Sequence, residues 1–434
     1  MTAPRDTPEA VPFARPFIGK EEEEAVLRVL RSGWLTTGKE TLAFEGEFAA
    51  FLRDPGREKA QGPLKALAVN SATSGLHLAL EACGIGPGDL VLTPSYTFTS
   101  TAAVVRYLGA EPVFVDVIPG TFHIDPRALE HTLERLSRGL PAYSGRRASG
   151  NLEKNAESPR GETDFGPRGR AKALIPVHYG GLLCDMEAIT AAAARYGLRV
   201  IEDAAHSFPS RLPDGSWAGA LGDAGVFSFY ATKTLTSGEG GMVVSRDQAL
   251  MNRIALMRSH GIDRTIWNRY TDPGASWYYE VLETGFKYNL PDLLAALGRV
   301  QLFRAQNLLM MREEIAGFYD GAFRDEEGLS LPPSGPGDAR HLYPIRLNLE
   351  RLSISRDGFI EKLKGEGIGV SVHFIPLHIM PYYQKRYNLD PEDFPESFKS
   401  FRRAISLPIW PGMSPSQVER VISTVKTLLG RYRK

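Results

Sequence analysis

LRVIEDAAHS (residues 198–207) and GDAGVFSFYATKTLTSGEGG (222–241) are the stretches whose reading decides the fold. In the first, an apolar run ends in two carboxylates, Glu202 and Asp203. In the second, a short apolar run leads to Lys233, set among small polar residues and followed by a glycine-rich turn. Each reads as a buried strand that delivers polar side chains to a loop. Outward from this pair, apolar runs recur at Ala66–Val69, Leu90–Thr93, Pro112–Val117, Ala173–His178, Leu198–Glu202, Gly225–Phe229 and Gly241–Ser245. Helical patterns fall between them, at Ser74–Ala82, Thr99–Leu108, Pro126–Leu136 and Met186–Tyr196. The alternation predicts an α/β fold with a mostly parallel central sheet covered by helices on both faces. Such sheets place ligand chemistry on the loops at the carboxyl ends of their strands.

The large domain is expected over 18–290, after a tail at 1–17. From 291 the pattern turns long and helical (PDLLAALGRVQLFRAQNLLMMREEIAGFYDGAF), then mixed, which predicts a smaller α+β domain over 291–434. Residues 137–170 are rich in Gly, Arg, Ser and Glu and are expected to be an exposed or disordered insertion. Lys plus Arg and Asp plus Glu both total 51, so no net field favours nucleic acid or an anionic membrane. The start lacks the apolar core of a signal peptide, and no run of about 18 apolar residues occurs, so a soluble cytoplasmic protein is expected. The two cysteines, Cys83 and Cys184, sit in apolar stretches without CxxC spacing and predict neither a disulfide nor a metal site.

Asp203, at the mouth of a buried strand, either caps the next turn or meets a cation, and a protonated pyridine nitrogen is one such cation. Lys233 is either a solvated lysine or a partly desolvated one whose neutral amine attacks an aldehyde. Ser228, five residues earlier, can aim its hydroxyl at a phosphate, and glycines 238, 240 and 241 let the backbone pass close to a bulky ligand. In VNSATSGLHLAL (69–80) a strand enters a helix through small residues, with Thr73 and Ser74 where an anion would sit, or simply where a helix is capped. In TPSYTFTST (93–101) the ring of Tyr96 or of Phe98 can stack on a flat cofactor or pack in the core. Taken together, these pieces supply a phosphate cradle, a ring platform, a nitrogen partner and an aldehyde trap, the four parts that pyridoxal 5′-phosphate (PLP) requires.

The same strings resemble the DegT/DnrJ/EryC1/StrS family of PLP-dependent aminotransferases acting on keto-sugars. The matching segments also include SGWLTTG (32–38), PSYTFTSTAAVVRYLGAEPVFVDV (94–117), IPVHYGG (175–181) and GFKYNLPDLLAALGRVQL (285–302). The resemblance implies fold type I of the aspartate-aminotransferase superfamily and a homodimer with shared active sites. It makes Lys233 the residue that holds the cofactor aldehyde covalently and Asp203 the partner of the pyridine nitrogen. Phe98 becomes the stacking ring, Thr73, Ser74 and Ser228 the phosphate contacts, and His206 a neighbour of the phenolic oxygen or ring face. Many relatives read GYNYRL where this chain reads GFKYNL, which leaves either Lys287 or Asn289 to reach a neighbouring subunit's phosphate. Relatives that dehydrate replace the lysine with histidine, so Lys233 implies transamination. Thr36, Thr37, His178, His373 and His378 are the candidate substrate contacts.

By the same resemblance the donor is an amino acid, L-glutamate foremost, and the acceptor a nucleotide-linked 4-keto or 4-keto-6-deoxy sugar used for surface polysaccharide or amino-sugar synthesis. HFIPLHIMPYYQKRY (373–387) and WYYEVLETGFKYNL (277–290) lean towards a 4-amino product by analogy. A cyclitol or aminobenzoate-type synthase would keep all these residues, and a non-catalytic PLP-binding regulator would keep the fold.

Overall fold

The computed structural model describes residues 10–146, 162–263 and 278–434. The middle of the expected insertion, and Trp277 at the start of the 277–290 string, lie outside them.

The first strands are β1 (Lys65–Val69), β2 (Asp89–Pro94) and β3 (Glu111–Val115), followed by a two-stranded ribbon of β4 (Tyr143–Arg146) and β5 (Glu162–Phe165). Then come β6 (Arg170–Leu174), β7 (Arg199–Asp203), β8 (Ala224–Ser228) and β9 (Gly241–Ser245). Apart from the ribbon, these form one seven-stranded sheet in the order β1-β9-β8-β7-β6-β2-β3. Neighbours from β8 to β3 are parallel, and β9 runs antiparallel to both β8 and β1. β7, β8 and β9 are buried nearly throughout, as expected of strands covered on both faces. With these directions, the loops after β1, β2, β7 and β8 and the one before β9 open on the same edge of the sheet. The polar residues singled out in the sequence are thereby gathered at one place.

The flanking helices start where their caps dictate. Ser71 accepts from Ser74 N–H at the head of helix Ala72–Ala82, and Asp185 accepts from Ala188 N–H at the head of Met186–Tyr196. A longer-range cap holds helix Lys39–Phe51: the Asp292 carboxylate accepts the N–H groups of Gly38 (2.7 Å), Glu40 (3.2 Å) and Thr41 (3.0 Å).

A second sheet, β10 (Leu329–Ser330), β11 (Tyr343–Leu347) and β12 (Ala404–Leu407), is antiparallel, and its core of Tyr319, Phe323, Tyr343, Ile345, Phe359 and Val421 is separate from the large sheet's. Helix Asp292–Phe303 does not belong to that core. Its Ala295 and Leu302 pack with Phe44 and Phe48 of the large domain, and the smaller core takes its first residue of this region, Ile315, from the next helix. Residues 10–17 of the expected tail lie against the carboxy-terminal half: Val11 is buried there and donates its N–H to Gly367 O, and Trp410 Nε1 donates to Pro12 O.

The 137–170 segment departs from expectation at its ends. Ala142 and Tyr143 are buried, the Tyr143 hydroxyl accepts from Phe114 N–H at 2.6 Å, and its ring meets Phe394 edge-on at 5.4 Å. One aromatic anchor was hidden by the polar average of its window.

Candidate active site

A cavity of about 480 Å³ opens at that sheet edge, closed from the other side by residues of the carboxy-terminal half. Its volume falls in the ordinary range for small-molecule sites. Lys233, Asp203, His206, Ser228, Thr73 and Phe98 all line it, so these six candidates meet in one place.

Asp203 ends β7, buried, with Thr101 Oγ1 donating to Oδ2 at 2.9 Å and Ala205 N–H donating to Oδ1 at 3.2 Å. Burial pushes its carboxyl above the usual range, against the opposing pull of these donors and of the Lys233 charge. Lys233 stands on the loop after β8, which is pinned by Lys233 N–H to Tyr230 O (2.9 Å) and Phe229 N–H to Gly240 O (2.9 Å). Burial lowers its amine to about 8, with Asp203 pulling the other way. A half-buried amine and a buried acid therefore face one space, each shifted towards neutrality.

The start of β9 needs a glycine. A Cβ on Gly241 would stand 2.7 Å from Ala72 N and 2.8 Å from Phe227 O, so the start of β9 lies directly against the head of helix Ala72–Ala82. The first-turn N–H groups of Ala72 and Thr73 have no acceptor within an α-helix, which makes this end suitable for a phosphate. Ser71 and Thr73 line the cavity there. Ser74 does not: its hydroxyl donates within the cap, at 2.7 Å from both Asn70 Oδ1 and Ser71 O. The Ser74 hydroxyl is thus engaged in the helix cap, and the hydroxyls that line the cavity at this end are those of Ser71 and Thr73.

Phe98 is 54% exposed and reaches the cavity, whereas Tyr96 is fully buried against Phe122 and Tyr179. Of the two rings, only that of Phe98 reaches the cavity. His206 lies against the cavity with Gly180 N–H donating to its Nδ1 at 3.3 Å, so its proton sits on Nε2. His373 also lines the cavity, with Nδ1 3.0 Å from Ser406 Oγ.

Four expected substrate contacts do not line it. His178 is fully buried: its Nδ1 accepts Cys184 N–H, and its Nε2 faces Glu202 at 2.8 Å. His378 is fully buried between Ser95 Oγ and Pro391 O. Both rings have their nitrogens committed to partners inside the protein. Thr36 and Thr37 stand elsewhere, with Lys287 and Asn289. Asn289 Nδ2 donates to Thr37 Oγ1 at 2.6 Å, Lys287 Nζ donates to Asn289 Oδ1, and Thr36 O accepts from Asp292 N–H.

Sequence reading missed Ser71, Thr97, Thr101 and His341. Ser71 was legible as the residue before the helical run, with Ser74 three positions on. Thr101 follows Thr97 by four residues across a helix start, a spacing that brings side chains together. His341 stands just before β11 and gave no signal, since only the packing of the second sheet turns it to the cavity. Burial pushes the imidazoles of His206 and His341 well below their ordinary value and that of His373 to about 4, so all three are neutral at pH 7.

A doubly covered, mostly parallel sheet whose edge joins a half-buried lysine, a buried acid and a helix N-terminus defines a PLP-dependent transferase of fold type I. The chain belongs to the DegT/DnrJ/EryC1/StrS aminotransferase family, whose model matches residues 16–147 and 160–426. The break between the two matches falls inside the 137–170 segment. The spore coat polysaccharide biosynthesis protein SpsC of Bacillus subtilis is 42% identical over 423 residues, covering 96% of this chain and 97% of that one. PseC of Helicobacter pylori, an aminotransferase involved in the biosynthesis of pseudoaminic acid, superposes with a TM-score of 0.80 at 27% identity, covering 98% and 100% of the two chains. A Streptococcus pneumoniae relative solved in its PLP form gives 0.78 at 26% identity, covering 97% and 99%. The chain is an aminotransferase, and its cofactor is PLP. The cavity fits that cofactor: the buried acid calls for a cation, the lysine for an electrophile, and the helix head for an anion.

Proposed function

We propose that this enzyme transfers an amino group from an amino acid, L-glutamate as donor, to a nucleotide-linked 4-keto or 4-keto-6-deoxy sugar, in amino-sugar synthesis for surface polysaccharide. The observation that carries the reading is that Lys233 and Asp203 face one cavity whose other walls bear the neutral imidazoles of His206, His341 and His373. SpsC and PseC, by their names, serve polysaccharide and pseudoaminic acid synthesis, which supports a sugar acceptor. PLP, when bound, supplies an aldehyde that captures amines and a ring that takes up the electrons left when the donor loses its α-proton. Lys233 would hold that aldehyde, and its amine would carry the proton of the donor's α-carbon. Asp203 would hold the proton on the ring nitrogen, Phe98 would meet the ring, and Thr73, Ser71 and Ser228 would bind the phosphate. Neutral imidazoles donate to and accept from sugar hydroxyls without drawing a competing anion into the site.

The working unit in this reading is a cytoplasmic homodimer with shared sites. Lys287, Asn289, Thr36 and Thr37 then serve the partner's cavity, which accords with their place outside the lining of their own. Exposed Leu27, Leu30, Leu35 and Leu42 offer an apolar surface for pairing. Both cysteines are free, and among the described residues no helix is long and apolar enough to cross a membrane.

The test is to supply PLP-loaded enzyme with L-glutamate and either 4-keto nucleotide sugars or keto-inositols, and to measure 2-oxoglutarate. Turnover is expected with a keto nucleotide sugar. Turnover with keto-inositol alone would move the enzyme to cyclitol synthesis, and a cofactor absorbance that ignores glutamate would make the protein a non-catalytic binder. A second expectation concerns pH. Only the neutral amine attacks an aldehyde, so the rate at which apoprotein captures PLP should rise as pH climbs through about 8 and level off above it. Stopped-flow absorbance measures this, and a rate still climbing towards the ordinary lysine value would show that Lys233 is not desolvated.

A further inference from the structure

Asp203 does not stand alone in its pocket. Thr101, in the first turn of helix Thr99–Tyr107, donates to Asp203 Oδ2 at 2.9 Å, and Thr97 Oγ1 stands 2.8 Å from Thr101 Oγ1. Thr97 is 1% exposed and Thr101 is 0% exposed. The order of protons along this line is fixed by chemistry. An ionised carboxylate only accepts, and Thr101 has a single O–H, which therefore goes to Asp203. Thr101 can then only accept from its other neighbour, so Thr97 is the donor between them. The result is a one-way chain, Thr97 to Thr101 to Asp203, in which each bond polarises the next.

We propose that Thr97 and Thr101 are positioning residues: their two hydroxyls keep the Asp203 carboxylate charged and aimed, and through it keep the proton on the nitrogen of the cofactor ring. The inference rests on the reading of Asp203 as that nitrogen's partner. The need for such a chain follows from burial, which by itself drives this carboxyl towards its protonated form. A protonated Asp203 would share or surrender the ring proton, and the ring would lose its capacity as an electron sink. The groups that bear on Asp203 are few: Lys233 from the loop after β8, His178 from the segment after β6, and His206 on the same cavity wall. Of these, His178 has its Nε2 on Glu202 and His206 takes Gly180 N–H on its Nδ1, so neither ring nitrogen stands in for the hydroxyl donors on the Asp203 carboxylate.

The experiment uses full-length enzyme loaded with PLP carrying ¹⁵N in the ring, read by the ¹⁵N chemical shift, together with the PLP dissociation constant of the apoprotein. Asp203→Asn is the reference and should move the shift towards the unprotonated nitrogen. Thr101→Val keeps the side-chain shape and removes the donor. It should move the shift the same way and weaken PLP about tenfold or more, the usual effect of losing a hydrogen bond to a charged group. Thr101→Ser should restore both within about twofold, since it returns the hydroxyl at the same atom. Thr97→Val should give a smaller shift in the same direction, and it carries the test if Thr101→Val does not fold. A Thr101→Val or Thr97→Val shift identical to wild type, alongside a moved Asp203→Asn, would overturn the chain while leaving the role of Asp203 intact. An unmoved Asp203→Asn would instead remove that role, and the chain's purpose with it.

Discussion

Lys233→Ala is expected to lower kcat by about 10³- to 10⁴-fold, with PLP still bound non-covalently, measured by steady-state assay and by dialysis of the loaded protein. The magnitude is that of removing a positioned acid–base group from a proton transfer at carbon. The loss should fall on kcat more than on KM, because the sugar and the donor keep their other contacts. Lys233→Arg separates two explanations of the loss. A guanidinium keeps the positive charge opposite Asp203 but is never neutral near pH 7, so it can neither attack the aldehyde nor shuttle the proton. If Arg restored much of the rate, the lysine would be acting only as a charge, and the desolvated-amine reading would fall. The structure favours the amine: burial brings it to about 8, where a measurable fraction is neutral at physiological pH.

The sequence made the sheet and its chemical edge legible for a physical reason. Buried parallel strands are apolar along nearly their whole length, so β7 and β8 stand out as runs, and whatever polar group follows such a run must lie at the strand's mouth. Asp203 and Lys233 follow directly. Residues placed by tertiary packing gave no such sign. His178 reads as a substrate contact from its place at a strand end and His378 from its loop in the smaller domain, yet both rings are spent on internal hydrogen bonds. His341 went unseen because it reaches the cavity only when the second sheet packs over the first. Ser74 lies off the cavity for a local reason: of the two hydroxyls at the helix head, the one at the third helical position turns back to close the cap. The 137–170 segment shows the limit of averaging, since a single ring, Tyr143, orders the residues around it.

The two adjacent acids of EDAAHS show how one strand divides structure from chemistry. Successive side chains point to opposite sides of a strand, so Asp203 reaches the cavity while Glu202 turns into the protein. Glu202 is fully buried, and its oxygens accept four donors: Oε1 takes Leu221 N–H (2.7 Å) and Gly222 N–H (2.7 Å), and Oε2 takes Gly219 N–H (2.8 Å) and His178 Nε2 (2.8 Å). This one carboxylate ties the Gly219–Gly222 turn, and through it the start of β8, to β7. Glu202→Ala should therefore cost about 3–5 kcal/mol, the scale of stranding several buried donors. A urea titration of apoprotein reads the loss as a lower midpoint. Glu202→Gln should recover only part of it. An amide offers one accepting oxygen and one donating nitrogen, and on either side its NH₂ meets groups that only donate. His178 cannot relieve the clash by moving its proton, because its Nδ1 already accepts from Cys184. A Glu202→Gln protein with a wild-type midpoint would show that the turn is held by something else. Asp203→Asn should do the reverse, sparing the midpoint and depressing the rate, because the cavity side of the strand carries the chemistry and the protein side carries the fold.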